Sequence, residues 1–319
     1  MLKPISFSLI EETNVYKIFS DSGNSSTKVT CVLPSGEKIK IDIPTLVSNG
    51  VDKINKGSYV VRYNNRDYVI GDENKSTNTN VRLSKVNLTH KLPTFTAIHQ
   101  TVPNNATIEL YMGLPISSFY DEEYRQSYID YMKEEREVTL VVNGISKTFN
   151  IKKVGALPES SGYVYNHPVG TFVGVVDIGY TTIDCAVFKD YAPIKETAFT
   201  LIDGANPFET RVRDELNKRL LLNIQRYQIQ DIITNGLYGA KSQEAEKIIH
   251  ECKMDYLKNI VTEMFRHNWE IETMQIVFTG GGSIYLKDVI EEFETFSLSE
   301  TPFDDNRDGF AELVVLSHE

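Results

Sequence analysis

One short pattern occurs twice in the sequence, and this duplication constrains the fold more than any other feature. Residues 15–29 read VYKIFSDSGNSSTKV, and residues 173–188 read VGVVDIGYTTIDCAVF. Each segment is an apolar strand that ends at Asp-x-Gly, followed by small hydroxyl residues and a second strand. Two such hairpins in one chain predict a duplicated domain, and therefore two related halves.

The turn of each hairpin has the chemistry of an anion site. A glycine directly after a strand lets the backbone turn tightly and approach a ligand, and consecutive backbone N–H groups can bind an anion. Two facing turns would therefore hold a phosphate chain from both sides of a cleft. Lys28 can neutralise phosphate charge, and Asp21 and Asp177 can hold magnesium through its water ligands. Neither turn is a P-loop, because the Gly-x4-Gly-Lys-Ser/Thr pattern is absent.

A third motif, MQIVFTGGGSIYLKDVIEEF, occupies residues 274–293. We expect a strand over Met274–Thr279, a glycine turn, and a helix over Ser283–Phe293 with Ser283 as its N-cap. The glycines would let a nucleoside approach the backbone, and the helix N-terminus would favour negative charge.

The remaining chain alternates between strand-like and helix-like stretches, with most strands near the N-terminus. We therefore expect an α/β fold with a mixed sheet rather than a strictly parallel one. A polar stretch, DENKSTNTN at residues 72–80, is predicted to be an exposed loop. Hairpins are predicted around residues 34–36, 64–65 and 143–144, and helices over 121–136, 207–222 and 243–268.

Charge and cysteine content limit the partners and the compartment. Lys and Arg number 33 and Asp and Glu 44, so the net charge is −11 and direct DNA contact through a general basic face is not expected. No apolar run approaches the roughly 20 residues that span a bilayer, and we expect no membrane association. The opening residues lack a signal-peptide pattern and the three cysteines lack metal-site spacing, so we expect a cytoplasmic protein.

The order DSGNSSTK, DIGYTTID and FTGGGS resembles the phosphate-one, phosphate-two and adenosine motifs of the actin–sugar kinase–heat-shock chaperone superfamily. The second motif is most similar to that of the plasmid-segregating actin-like proteins, the ParM group. The resemblance implies an actin-like (ribonuclease H-like, duplicated) α/β fold with two domains around a nucleotide cleft. The tail PFDDNRDGFAEL resembles the family's closing segment, in which Gly-Phe starts a final helix.

The resemblance also implies domain bounds. Domain I would span residues 1–165, with a smaller insertion subdomain at about 34–100. Domain II would span residues 166–319, with a smaller helical subdomain at about 205–270.

The resemblance implies a role for each matching residue. The β- and γ-phosphates would be surrounded by Asp21, Gly23, Asn24, Ser25 and Lys28. The opposite clamp would be Asp177, Gly179, Tyr180, Thr181 and Thr182. The adenosine would lie against Gly280, Gly281, Gly282 and Ser283, with Asn206, Glu209 and Arg213 as looser matches near the ribose and base.

Two carboxylates are the candidate catalytic residues. Glu159, in Pro158-Glu159-Ser160, stands where the family places a residue that orients the attacking water, and Asp177 would hold magnesium at the phosphates. The alternative for Glu159 is a cap of the following helical turn.

The function that the resemblance implies is a filament-forming ATPase that drives plasmid segregation. It would use ATP or GTP with Mg²⁺, assemble head to tail with copies of itself, and reach DNA only through a DNA-bound adaptor protein. The alternative is a small-molecule kinase of the same superfamily, acting on a sugar or an acid.

Overall fold

The computed structural model describes residues 14–51, 57–71, 84–167 and 172–316, and its strands form two separate sheets. The segment 72–80, expected to be a loop, lies outside these ranges. The strands of the first sheet are β1 (Val15–Ser22), β2 (Ser26–Val32), β3 (Lys38–Pro44), β4 (Val47–Asn49), β5 (Tyr59–Tyr63), β6 (Arg66–Ile70), β7 (Ala106–Leu114), β8 (Glu137–Val142) and β9 (Ile145–Pro158). Those of the second are β10 (Phe172–Ile178), β11 (Ile183–Lys189), β12 (Ala192–Pro193), β13 (Phe199–Leu201), β14 (Gln275–Thr279) and β15 (Phe296–Leu298).

Helices pack on both sheets and connect them. None of those in the described ranges is long and apolar enough to cross a membrane. The α-helices are α1 (Leu88–Thr101), α2 (Ile116–Tyr120), α3 (Glu122–Lys133), α4 (Ser161–Asn166), α5 (Ala205–Leu220), α6 (Ile229–Asn235), α7 (Ser242–Arg266), α8 (Lys287–Ile290) and α9 (Asp305–Leu316).

The two sheets repeat one local topology. The first has the order β3-β2-β1-β7-β9-β8-β5-β6-β4, and the second β12-β11-β10-β14-β15, with β13 beside β11. In both, the strand that carries the Asp-x-Gly turn is antiparallel to its hairpin partner and parallel to a later strand: β1 with β2 and β7, and β10 with β11 and β14. The predicted duplication and the mixed sheet are therefore confirmed.

Each half has its own hydrophobic core. In the first, α1 supplies Leu92, Phe95 and Ile98 to a core of strand residues. In the second, α5 and α7 cover the sheet, and the apolar residues of α7 in this core recur at helical spacing. Burying each such side chain contributes about 1.5–3 kcal/mol, so the amphipathic pattern explains why this helix packs where it does.

Two predictions about helix starts were wrong. After the third glycine motif the chain forms a 3₁₀ helix at Gly281–Leu286 and then the short α8, and not one helix from Ser283. Ser283 does not cap a helix, because its Oγ donates to the Gly280 carbonyl at 2.6 Å. The final helix begins at Asp305, before the Gly309-Phe310 pair, since Asp305 accepts hydrogen bonds from Thr279 and Thr301 that fix the turn there.

The connection between the halves is a close crossing of α4 with α9. A Cβ added to Gly309 would lie 1.8 Å from the Gly162 carbonyl oxygen, and one added to Gly162 would lie 2.2 Å from the Asn306 Cα. Helix α9 also packs against β1 and β2, so the last helix of the chain rests on the first sheet. The division at residues 165 and 166 stays a prediction.

We expect Gly309→Ala to lower the free energy of unfolding by about 3 kcal/mol, because the added methyl group overpacks a contact between two backbones. Gly57→Ala is the matched control, since a Cβ at Gly57 meets no atom of the described residues within 4 Å. Urea denaturation of both variants measures the difference. Equal midpoints for the two variants would show that the helices do not cross this closely.

Candidate functional site

The two Asp-x-Gly turns have the same backbone geometry. The Gly23 N–H donates to the Ser26 carbonyl at 3.0 Å, and the Gly179 N–H donates to the Thr182 carbonyl at 2.9 Å. The turns also touch, since the Asn24 side-chain amide donates to Thr181 Oγ1 at 2.9 Å. The sequence repeat is thus a structural repeat, and its two copies face each other.

A cavity of about 670 Å³ lies between these turns and the third glycine motif. Among the residues singled out in the sequence, Ser283, Asn206 and Arg213 do not line it. The side chain of Ser283 is fully buried behind Gly280. The predicted residues that line the cavity are Asp21, Gly23, Asn24, Ser25, Lys28, Glu159, Asp177, Gly179, Tyr180, Thr181, Thr182, Glu209, Gly280, Gly281 and Gly282.

Buried carboxylates form one wall of the cavity. Burial raises the pKa of Asp177 to about 7, with further contributions from Asp21 and Asp184, while a 2.6 Å hydrogen bond from the Asn306 side-chain amide opposes the rise. Gly280 makes room for this carboxylate: it has φ +79°, and a Cβ there would lie 2.2 Å from Asp177 Oδ1. Concentrated negative charge of this kind is suited to a cation.

Asp184 is the positional counterpart of Lys28, but it has a different task. The strand register pairs Asp21 with Lys28 and Asp177 with Asp184. Asp184 accepts hydrogen bonds from the Ile116 N–H at 2.8 Å, Thr200 Oγ1 at 2.7 Å and Thr182 Oγ1 at 3.0 Å. It therefore ties the first turn of α2 to the second sheet.

Lys28 is the basic residue of the first turn. Its ammonium donates to the Phe303 carbonyl and lies 5.6 Å from the centre of the Phe303 ring. Phe303 also contacts the third glycine motif, since a Cβ on Gly281 would meet its ring at 2.7 Å. The loop before α9 therefore touches both Lys28 of the first hairpin and the third glycine motif.

Glu159 lies at the cavity with Lys85 as its partner. The Lys85 ammonium donates to Glu159 Oε1 and, at 3.1 Å, to the Gly113 carbonyl. Burial raises the pKa of Glu159, and the Lys85 ammonium opposes that rise. No helix-capping hydrogen bond is formed at the start of α4, so the capping alternative for Glu159 is not supported.

The far end of the cavity is lined by the helical part of the second half. Glu209 Oε1 accepts hydrogen bonds from Tyr285 at 2.8 Å and from Gln230 at 3.0 Å. Asn206 lies beside the cavity, where it accepts hydrogen bonds from Tyr180 and Arg226. Arg213 pairs with its neighbour Asp214 and is not a lining residue.

Several lining residues were not predicted from the sequence. Lys85 follows a polar segment and has no neighbouring motif. Phe303 and Asn306 belong to the tail PFDDNRDGFAEL, for which the sequence predicted only the start of a final helix. Asp184 carried a signal, because it occupies the position in the second hairpin that Lys28 occupies in the first.

Two related half-domains with facing phosphate-type turns around one cleft define the class of this protein. A family model described as the N-terminal domain of actin-like proteins matches residues 20–162, and one described as the C-terminal domain of the archaeal actin homologue, MreB-like, matches residues 175–292. The chain belongs to the actin-like proteins. No curated protein sequence matches it.

Solved structures of actin homologues are similar over nearly the whole chain. An archaeal actin homologue, Ta0583, has 17% identity and a TM-score of 0.75 over 95% of this chain and 100% of its own. A ParM of a 15-stranded filament from Clostridium botulinum has 18% identity and a TM-score of 0.72 over 95% and 100%. A Bacillus thuringiensis ParM with ATP has 15% identity and a TM-score of 0.66 over 96% and 100%. At these identities the likeness confirms the actin-like fold.

We expect Asp177→Asn to stabilise the nucleotide-free protein at neutral pH. Between about pH 4 and 7 the folded protein holds a proton on Asp177 that the unfolded chain has released, so wild-type stability falls as the pH rises through this window, by on the order of 3–4 kcal/mol. Asparagine has no proton to lose, and the slope should flatten. Thermal melting in EDTA between about pH 4 and 7 measures the slope of stability against pH, and Asp255→Asn, at an exposed position, is the control. Equal slopes for both variants would contradict the burial of this charge.

Proposed function

We propose that this actin-like protein binds ATP or GTP with Mg²⁺ in its cleft, hydrolyses it, and forms filaments whose stability depends on the bound nucleotide. The observation that carries the proposal is the pair of identical turns facing each other across one cavity, with Lys28 and Glu159 both on its lining. The nucleotide complexes among its structural relatives support the choice of ligand.

Each group of lining residues has a role in this proposal. The phosphate chain lies between the turn at Gly23–Ser25 and the turn at Gly179–Thr182, where backbone N–H groups and hydroxyls donate to its oxygens. Lys28 exchanges its Phe303 contact for a phosphate oxygen. The nucleoside lies against Gly280–Gly282 with Glu209 near the ribose. Because Ser283 is turned away from the cavity, we propose no nucleotide contact for it.

The carboxylates fit a magnesium ion that is held indirectly. No cluster of three or more metal-ligating side chains exists among the described residues, so Asp21 and Asp177 would hold the ion through water while phosphate oxygens complete its shell. When bound, magnesium neutralises charge on the phosphates. It would also relieve the repulsion between Asp177 and its acidic neighbours.

Glu159 would orient the attacking water and accept its proton. A general base must lie within hydrogen-bond reach of that water. Glu159 lines the cavity and does not accept the three hydrogen bonds that hold Asp184 in place. Lys28 would stabilise the charge on the γ-phosphate in the loose transition state.

Filament formation and plasmid segregation complete the proposal. Similarity to a ParM filament supports an open head-to-tail assembly, in which one surface of each subunit binds a different surface of the next. We propose that the filament moves plasmid DNA in the cytoplasm through a DNA-bound adaptor, because the acidic chain favours no direct DNA contact.

Sedimentation tests the filament. We expect the protein to pellet with ATP or GTP and Mg²⁺ at micromolar concentration and to stay in the supernatant with the diphosphate. Several salt concentrations are needed, because subunits of net charge −11 repel one another at low ionic strength. No polymer under any of these conditions, together with phosphate transfer to an added sugar or acid, would favour the small-molecule kinase instead.

Hydrolysis tests Glu159. We expect Glu159→Ala to bind nucleotide like the wild type but to release phosphate about 100-fold more slowly, since the lost group is a general base. Phosphate release and fluorescent-nucleotide binding measure the two effects. The exposed Glu270→Ala serves as the control. Wild-type hydrolysis in Glu159→Ala would remove this residue from the mechanism.

A further inference from the structure

Lys85 is a buried cation at the cavity, and the mechanism proposed above gives it no role. It is only 5% exposed, yet it is a lining residue of the cavity. Its ammonium donates to Glu159 Oε1 and to the Gly113 carbonyl, and its backbone N–H donates to the Tyr124 hydroxyl at 2.7 Å. Gly113 of β7 and Tyr124 of α3 therefore hold Lys85 against Glu159.

Stability alone does not account for this ion pair. Removing an ammonium and a carboxylate from water costs several kcal/mol per ion, and apolar residues of similar volume are often as stable or more so. A pair that only joined elements would not need to lie on the cavity lining. Lys85 and Glu159 both lie there.

The surroundings of Glu159 otherwise favour its protonated form. Burial raises its pKa, and the negative charges of Asp184 and Asp21 add to the rise. Among the described residues Lys85 is the one cation in direct contact with its carboxylate.

The other titratable groups that face Lys85 leave it charged. Burial is the largest influence and would lower the pKa of Lys85, but Glu159, Tyr128 and Asp21 together outweigh it and the pKa is raised. Burial keeps His90 neutral by lowering its pKa to about 3. The proton of the pair therefore resides on Lys85.

We propose that Lys85 is a positioning residue for hydrolysis, which keeps the Glu159 carboxylate ionised and holds its orientation toward the cavity. This inference rests on the proposed function. The oxygen of the attacking water forms a bond to the γ-phosphorus, the bond from that phosphorus to the bridging oxygen breaks, and the water proton passes to Glu159. Lys85 keeps its own proton throughout and touches neither nucleotide nor water.

The test is the pH profile of single-turnover hydrolysis in the full-length protein. In Lys85→Met, Glu159 loses its cation, its pKa rises, and the acidic limb of the profile moves to higher pH. We expect a loss of about tenfold or more at pH 7 that narrows to about threefold near pH 9.5, since one pKa unit changes the ionised fraction up to tenfold. Nucleotide affinity should stay within about twofold of the wild type.

Two further variants separate positioning from a structural role. Lys85→Arg restores a cation and should return the acidic limb toward the wild-type pH, even if its maximal rate is lower. The Lys85→Met/Glu159→Gln double variant should be no slower than Glu159→Gln alone, because Lys85 acts through Glu159.

The stability of Lys85→Met gives a readout that does not need catalysis. Its folded state binds a proton on Glu159 that the unfolded chain releases above about pH 4, so its melting temperature should fall as the pH rises from there toward the raised pKa. The double variant should lack this slope.

The inference would be overturned if the pH profile of Lys85→Met ran parallel to that of the wild type. It would also be overturned if the double variant were slower than Glu159→Gln by the full factor that Lys85→Met causes alone. In either case, hydrolysis by the wild type would leave the proposed function standing. If the wild type itself does not hydrolyse nucleotide, the proposed function fails. A flat melting profile for Lys85→Met would also count against the positioning role.

Discussion

Helices α4 and α9 cross so closely that only a hydrogen atom fits on each glycine at the contact, and the site depends on this crossing. Glu159 lies just before α4, and Asn306, on α9, donates to Asp177 in the second half. Asp305, at the start of α9, accepts from Thr279 at the end of β14. The contact between Gly162 and Gly309 therefore fixes the position of Glu159 relative to Asp177. Such alignment matters because small displacements of positioned groups weaken catalysis strongly.

The site concentrates negative charge that is unfavourable without a cation beside it. Asp177, Asp184 and Glu159 all have raised pKa values, chiefly because they are buried. Hydrogen bonds satisfy Asp184 and an ammonium partners Glu159, whereas Asp177 has one amide donor and acidic neighbours. A ligand that brings a cation to this wall stabilises the folded form by mass action. If the cleft takes a nucleotide as proposed, nucleotide binding and stability are therefore coupled through the carboxylates.

The duplication has diverged at the residue that matters most for charge. Lys28 and Asp184 hold the same position in the two hairpins, but one offers a cation to the cavity and the other binds the start of α2. One copy thus presents a cation to the cavity, while the other joins the first turn of α2 to the second sheet. In both copies the glycine N–H donates to the carbonyl three residues later. The two turns therefore have the same shape, and either could hold a ligand from its own side of the cavity.

The sequence by itself determined the features that depend on neighbours along the chain: the two hairpins, the mixed sheets, the amphipathic α7 and about half of the residues that line the cavity. Tertiary structure decided the rest. Helix α1 could not be read from periodicity because nearly all of its residues are buried, polar ones included. The helix expected from Ser283 gave way to a 3₁₀ turn, since Gly280–Gly282 lies against Ile178 and Asp177. Lys85 meets Glu159 across 74 positions of sequence, and no local pattern encodes a contact between residues that only packing brings together.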